Sequence, residues 1–155
     1  MKTLRFNTGW DDGSLDDLKI VELLKKHSLP GIFFLPDISE MNRDQVVELA
    51  KDFEIGGHTV FHPEDMKRLD DEELKYEVET NKFHLEHLIG KPVTKFAYPS
   101  GRYDKRVMEA VKNAGYERAR TTLVLYGDMR QPYQVDTTIH CYPRREYKGR
   151  DWEVS

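Results

Sequence analysis

The 155-residue sequence holds a single cysteine, Cys141, so no disulfide can form within the chain. The segment around Cys141 alternates in polarity and carries no thiolate-activating motif, which reads as a partly buried, inert thiol. No apolar run approaches the roughly 18 residues of a membrane span. The N-terminal MKTLRFNTGW has no apolar core of signal-peptide length. The chain as given therefore reads as cytoplasmic, an extracellular setting being the alternative if a leader precedes it. Charge of one sign is also scarce. The net charge is -4 with no long run of either sign, which argues against a nucleic-acid-binding stripe and a polybasic membrane anchor. The one basic cluster, Arg144 to Arg150, is interrupted by Glu146 and Tyr147 and reads as a solvated tail. Linkers, internal repeats and low-complexity segments are missing too, so a single domain over 1–155 is expected.

What is present is a regular alternation of short apolar runs with helical periods. Strands are predicted at Leu4–Trp10, Gly31–Pro36, Phe53–Gly56, Lys95–Tyr98, Tyr116–Thr122 and Gln134–Tyr142. Between them lie helices at Leu15–His27, Asn42–Asp52, Asp70–Ile89 and Tyr103–Ala114. Ser14 is the expected N-cap of the first. Asn42 with Gln45, and Asp70 with Glu73, are spaced as capping boxes. The stripe Leu74, Val78, Leu85 and Leu88 runs along the longest helix, whose His84 and His87 are expected in solvent. Strand–helix repetition implies an α/β fold with a largely parallel sheet. Six strands are too few for a closed eight-fold barrel, so an incomplete or distorted (β/α) barrel is expected.

Three unusual segments each come directly after a predicted strand: TGWDDG (Thr8 to Gly13), GGHTVFHP (Gly56 to Pro63) and AYPSGRYD (Ala97 to Asp104). In parallel sheets, functional residues gather past the C-terminal strand ends, so the three should meet at one rim. Paired aspartates at such an end repel each other and are costly to desolvate, and a cation relieves both effects. His58 and His62 are four apart, a spacing that puts two imidazoles on one side of a helical turn. An Asp-Asp-Gly alone is often a turn, and a lone HxxxH is often two surface histidines. Together, after strands and beside glycines, they read as a divalent-metal site of Asp12, His58 and His62. Two histidines and one carboxylate leave positions open for water and substrate, as in catalytic rather than structural sites.

TGWDDG, HTVFHP and FAYPSG resemble, in order and spacing, the first three motifs of the NodB-type polysaccharide deacetylases, carbohydrate esterase family 4. GIFFLP resembles the family's second strand, and the resemblance covers roughly Thr3 to Thr122. It implies a metal-dependent hydrolase that removes N-acetyl groups from a carbohydrate, acting on amide but not peptide bonds. It further implies Asp11 as general base, Asp12, His58 and His62 as metal ligands, and the Ser100 backbone N–H as an oxyanion donor. Pro99 and Gly101 would shape that loop, and Trp10 and Tyr98 would line the sugar groove. Zinc is the expected ion, with cobalt, nickel and iron as alternatives for such N/O ligands. The expected partner is an N-acetylated carbohydrate, with no nucleic acid and no membrane.

Two departures accompany the resemblance. Many members carry a base-orienting arginine in the third motif where this chain has Ala97; Arg102 is the nearby substitute. Members also place a catalytic histidine in a late strand. His140 is the only late histidine here, and its surroundings, TTIHCYP, match that motif poorly. The expectation is a domain lacking its last barrel segment, with an exposed sheet edge that favours self-association. Two other readings stay open: a metal- or carbohydrate-binding remnant without turnover, and a hydrolase of small linear amides.

Overall fold

In a computed structural model, the described residues are 7–124 and 131–137, together with the backbone of 146–147 and 150–151. His140, Cys141 and most of the Arg144–Arg150 segment lie outside them, as does the first half of the first predicted strand. Six strands form one sheet in the order of the chain: β1 (Thr8–Asp11), β2 (Gly31–Leu35), β3 (Glu54–Gly57), β4 (Lys95–Ala97), β5 (Arg118–Val124) and β6 (Val135–Thr137). Every neighbouring pair is parallel. The sheet curls into a half-barrel with helices outside it, the incomplete barrel expected from six strands interspersed with helices. A separate antiparallel pair joins β7 (Glu146–Tyr147) to β8 (Arg150–Asp151). No helix among the described residues is long and apolar enough to cross a membrane.

Both faces of the central strands are covered. All five residues of β2, GIFFL, are buried, which is why that run shows no alternation. Phe33, Leu35, Ile55, Phe96 and Val107 pack in the larger cluster, while Ile32, Phe34 and Ala97 form a smaller one. A buried bond from Thr121 Oγ1 to Asp136 Oδ1 (2.7 Å) ties β6 to β5.

The helices are α1 (Asp17–Lys26), α2 (Arg43–Asp52), α3 (Asp71–Lys75), α4 (Asn81–Ile89) and α5 (Lys105–Asn113). Asn42 and Gln45 form the expected capping box, as do Asp70 and Glu73. Ser14 does not cap α1 directly: Asp16 takes the N-cap position, and Ser14 Oγ accepts from the Asp16 amide just before the helix. The predicted long helix is also not uniform. A five-residue π turn, Tyr76–Thr80, separates α3 from α4. Such turns widen the helix, are rare, and recur at functional sites.

Candidate metal centre

Because the strands are parallel, Asp11, Gly57 and Ala97 end β1, β3 and β4 at the same rim, and the three unusual segments reach it there. Asp12 turns sharply out of β1 with φ 73°. Its Oδ1 lies 3.3 Å from His58 Nε2 and 3.3 Å from His62 Nε2. The three donor atoms all fall within 4.8 Å of one another, and among the described residues this cluster is the group suited to hold a metal ion. Donors held tetrahedrally at about 2.0–2.1 Å from a zinc ion stand about 3.3 Å apart, so the spacing of Asp12 to each imidazole suits such an ion.

The histidines are not brought together by a helical turn, as their spacing suggested. They sit on a loop in which Thr59 (φ 70°) and His62 (φ 49°) are left-handed. His58 is buried, at 1% exposure. Its Nδ1 is 2.7 Å from the Ala97 carbonyl, which places a proton on Nδ1 and turns Nε2 toward Asp12. His62 is partly open, and Asp12 is the most exposed of the three. One of the three candidate donors is therefore anchored in the core while two face solvent, an arrangement that leaves room for water or substrate.

Electrostatics reflect this crowding. A hydrogen bond from His58 holds the Asp12 carboxyl below its ordinary range, against the opposing effect of burial. Burial lowers the His62 imidazole, and His58 adds to that. Asp17, buried at the start of α1, is pushed up to about 7 by burial and by the negative charges of Asp11 and Asp12.

Asp11 is engaged by Arg120, a residue that no sequence pattern singled out. Arg120 Nη2 donates to both carboxylate oxygens of Asp11. Its guanidinium lies over the Phe34 ring, 5.2 Å from the centroid, and its side chain packs against Gly9. Ala97 and Arg120 are register partners on β4 and β5. The arginine thus comes from the strand beside the one where the third motif usually carries it. Arg102, the substitute considered from sequence, turns away and pairs with Glu64 at 3.2 Å. An arginine two residues into a strand is an ordinary sight in sequence, so only the pairing reveals it.

The third segment supplies a tight turn, Pro99–Gly101, in which Ser100 is left-handed (φ 53°) and exposed. The amides of Gly101 and Arg102 are taken by the carbonyls of Tyr98 and Pro99 at 2.9 and 3.1 Å. Gly101 (φ 66°) could not carry a side chain, since a Cβ there would collide with Thr122. Tyr98 does not line a groove. Its ring is 2% exposed, stacks on Tyr103, and sends its hydroxyl to the Tyr133 carbonyl. An aromatic directly after a buried strand tends to stay in the core, which corrects that expectation. Pro99 is buried as well, whereas Trp10 is half-buried at the rim. His84 is exposed, as expected, and pairs with Asp37 Oδ2 at 2.5 Å.

Residues 3–119 match the polysaccharide deacetylase family. The chain is 32% identical over 111 residues to the uncharacterized protein YlxY of Bacillus subtilis, covering 70% of this chain and 34% of that one. It thus spans about a third of that relative's length. Among solved structures, the Streptococcus pyogenes deacetylase PplD in complex with acetate superposes with a TM-score of 0.77 at 19% identity. The match covers 83% of this chain and 61% of that one. BA3943 of Bacillus anthracis, a CE4 family pseudoenzyme, gives 0.66 at 22% identity, over 73% of this chain and 41% of that one. The extent of the family match places this chain in the polysaccharide deacetylase family.

Proposed function

We propose that this chain binds one divalent metal ion through Asp12, His58 and His62 and hydrolyses the N-acetyl group of a carbohydrate. The observation that carries this reading is the position of Asp11, an arginine-held carboxylate adjoining a three-donor site at one rim. A binding module needs no such carboxylate beside its metal ligands.

An acetamide is a poor electrophile and water a poor nucleophile. A zinc-like ion held there would supply Lewis-acid polarisation and a water acidified toward neutrality. The chain's own residues do the rest. Asp12 and the two imidazoles set the open face. Asp11 accepts a proton from the attacking water and gives it up to the amine nitrogen as the C–N bond breaks and acetate leaves, and Arg120 fixes which way its oxygens point. The Ser100 N–H, on a turn held by its own internal bonds, donates to the oxygen of the tetrahedral carbon, where one donor can be worth about 3 kcal/mol.

A second reading is favoured by one observation. One structural neighbour, BA3943, is a CE4 family pseudoenzyme. On that reading the domain keeps the metal and does not turn over.

Acetate release from N-acetylglucosamine oligomers and peptidoglycan fragments, measured with metal content on the same protein, separates the two. Full metal loading with no acetate released from either glycan supports the second reading. Acetate release that disappears with the metal supports the first.

A further inference from the structure

We infer that Glu77 and Asn81, neither of them a metal ligand, are positioning residues that hold the His58–His62 loop in its ligating shape. This inference rests on the metal reading proposed above. Both residues lie on the run α3–π turn–α4, on the same buried stripe as Leu74, Val78 and Leu85. Glu77 is 6% exposed and Asn81 is 0% exposed. A carboxylate and a carboxamide on an apolar stripe are costly unless their polar atoms are bonded. Here they are, and the partners are almost all on the metal loop or the strand end beside it.

Glu77 Oε2 accepts from the Val60 amide at 2.8 Å and the Phe61 amide at 2.9 Å. Asn81 Oδ1 accepts from the His58 amide at 2.9 Å. Asn81 Nδ2 donates to the Leu35 carbonyl at 3.1 Å and to Asp37 Oδ1 at 2.7 Å. The Asp37 amide donates in turn to the Thr59 carbonyl at 3.2 Å, and the His62 amide donates to Thr59 Oγ1 at 3.1 Å. The amides of His58, Val60, Phe61 and His62 are thus all assigned, three of them to two side chains of one helical run. Left-handed Thr59 and His62 persist only where the surroundings over-determine the backbone. The β3 end is fitted to this clamp, since a Cβ on Gly57 would meet Asn81 Oδ1 at 2.9 Å and collide with the Tyr116 hydroxyl.

The π turn explains how one helix can serve both core and loop. Glu77 lies within it and Asn81 begins the α-helix after it. One residue added to a helix turns the segment before it by about 100° relative to the segment after it. The helix thereby directs two polar side chains into one loop while Leu74 and Leu85 stay in the core. Metal-site residues beyond the ligands that fix ligand orientation commonly change metal affinity by about 10- to 100-fold when removed.

The test measures Zn²⁺ affinity by competition with a chelator, and the absorption spectrum of the Co²⁺-loaded protein, at a temperature where every variant is folded. Glu77→Ala is expected to weaken Zn²⁺ by about 10- to 100-fold and to alter the Co²⁺ spectrum. Glu77→Gln keeps an oxygen able to accept both amides, so it should restore affinity to within a few-fold. Asn81→Ala should resemble Glu77→Ala. Val78→Ala, a truncation on the same helix turned away from the loop amides, should lower thermal stability and leave affinity unchanged. Should Glu77→Ala not fold, Asn81→Ser and Glu77→Gln carry the comparison. Glu77→Ala and Asn81→Ala affinities equal to that of Val78→Ala would overturn the clamp. A wild-type protein that binds neither Zn²⁺ nor Co²⁺ would instead overturn the metal reading, and the clamp with it.

Discussion

Arg120 holds both carboxylate oxygens of Asp11 from the strand next to Ala97, so the cation that accompanies this aspartate has moved one strand along the rim. Its place is secured by the Phe34 ring beneath it and the bare backbone of Gly9 beside it. Arg120→Ala should lower kcat by up to about 100-fold, the scale of a misplaced reacting group, with metal content and KM little changed. Arg120→Lys should recover only part of this, because a lysine cannot grip a carboxylate with a planar fork. Steady-state kinetics and metal analysis on the same preparations check both.

Metal ligation separates the two aspartates. His58→Ala, His62→Ala and Asp12→Ala should each lose the ion during purification, while Asp11→Asn should retain it and lose turnover. Metal analysis of the purified variants decides this. Full metal content in both histidine variants removes the site assignment.

Removing the ion should also lower stability. A ligand present at 100 times its Kd stabilises the folded state by about 2.7 kcal/mol. Thermal unfolding with and without chelator should show a drop for the wild type and none for His58→Ala.

Asp17 makes metal-free stability depend on pH. Its folded pKa, about 7, lies above the ordinary 3.8 because burial and the charges of Asp11 and Asp12 disfavour ionisation. Stability tied to its neutral form is fully present below about pH 3.8 and is lost as pH rises through about 7. Asp17→Asn should therefore raise Tm at pH 8, by the order of a few degrees, and change it little at about pH 4. Melting curves of chelated protein across that range provide the check.

Ser100 tests backbone against side chain. Only its N–H is given a role, so Ser100→Gly should keep activity. Leaving a left-handed residue relieves about 1–2 kcal/mol, and the added freedom of glycine costs about 0.5–1 kcal/mol. Tm should thus hold or rise slightly. Loss of acetate release in this variant would show that the hydroxyl matters.

The strand–helix order, the two capping boxes and the barrel class were legible because each rests on local spacing. Asn42 with Gln45 and Asp70 with Glu73 satisfy helix ends within four residues of chain. The parallel order came from repetition, and with it the meeting of Asp12, His58 and His62 at one rim. Tyr98 shows where local spacing stops being informative: its ring turns into the core because Tyr103 and Tyr133 pack there, which no nearby residue announces. A trace of the loop clamp was present in the sequence, since Glu77 and Asn81 interrupt an apolar stripe where burial demands a partner.

By itself, the sequence determined which three candidate donors there are, their order and the end of the sheet at which they gather, because periodicity and strand direction are properties of short stretches. Only the tertiary structure decided what holds them. Arg120 reaches Asp11 across 109 residues. Glu77 and Asn81 reach the histidine loop through a π turn, and Thr59 and His62 take left-handed backbone that helical spacing did not foresee. Such contacts depend on which strands become neighbours and on how a helix is wound against them. That is set by packing the whole half-barrel, and no local pattern encodes it.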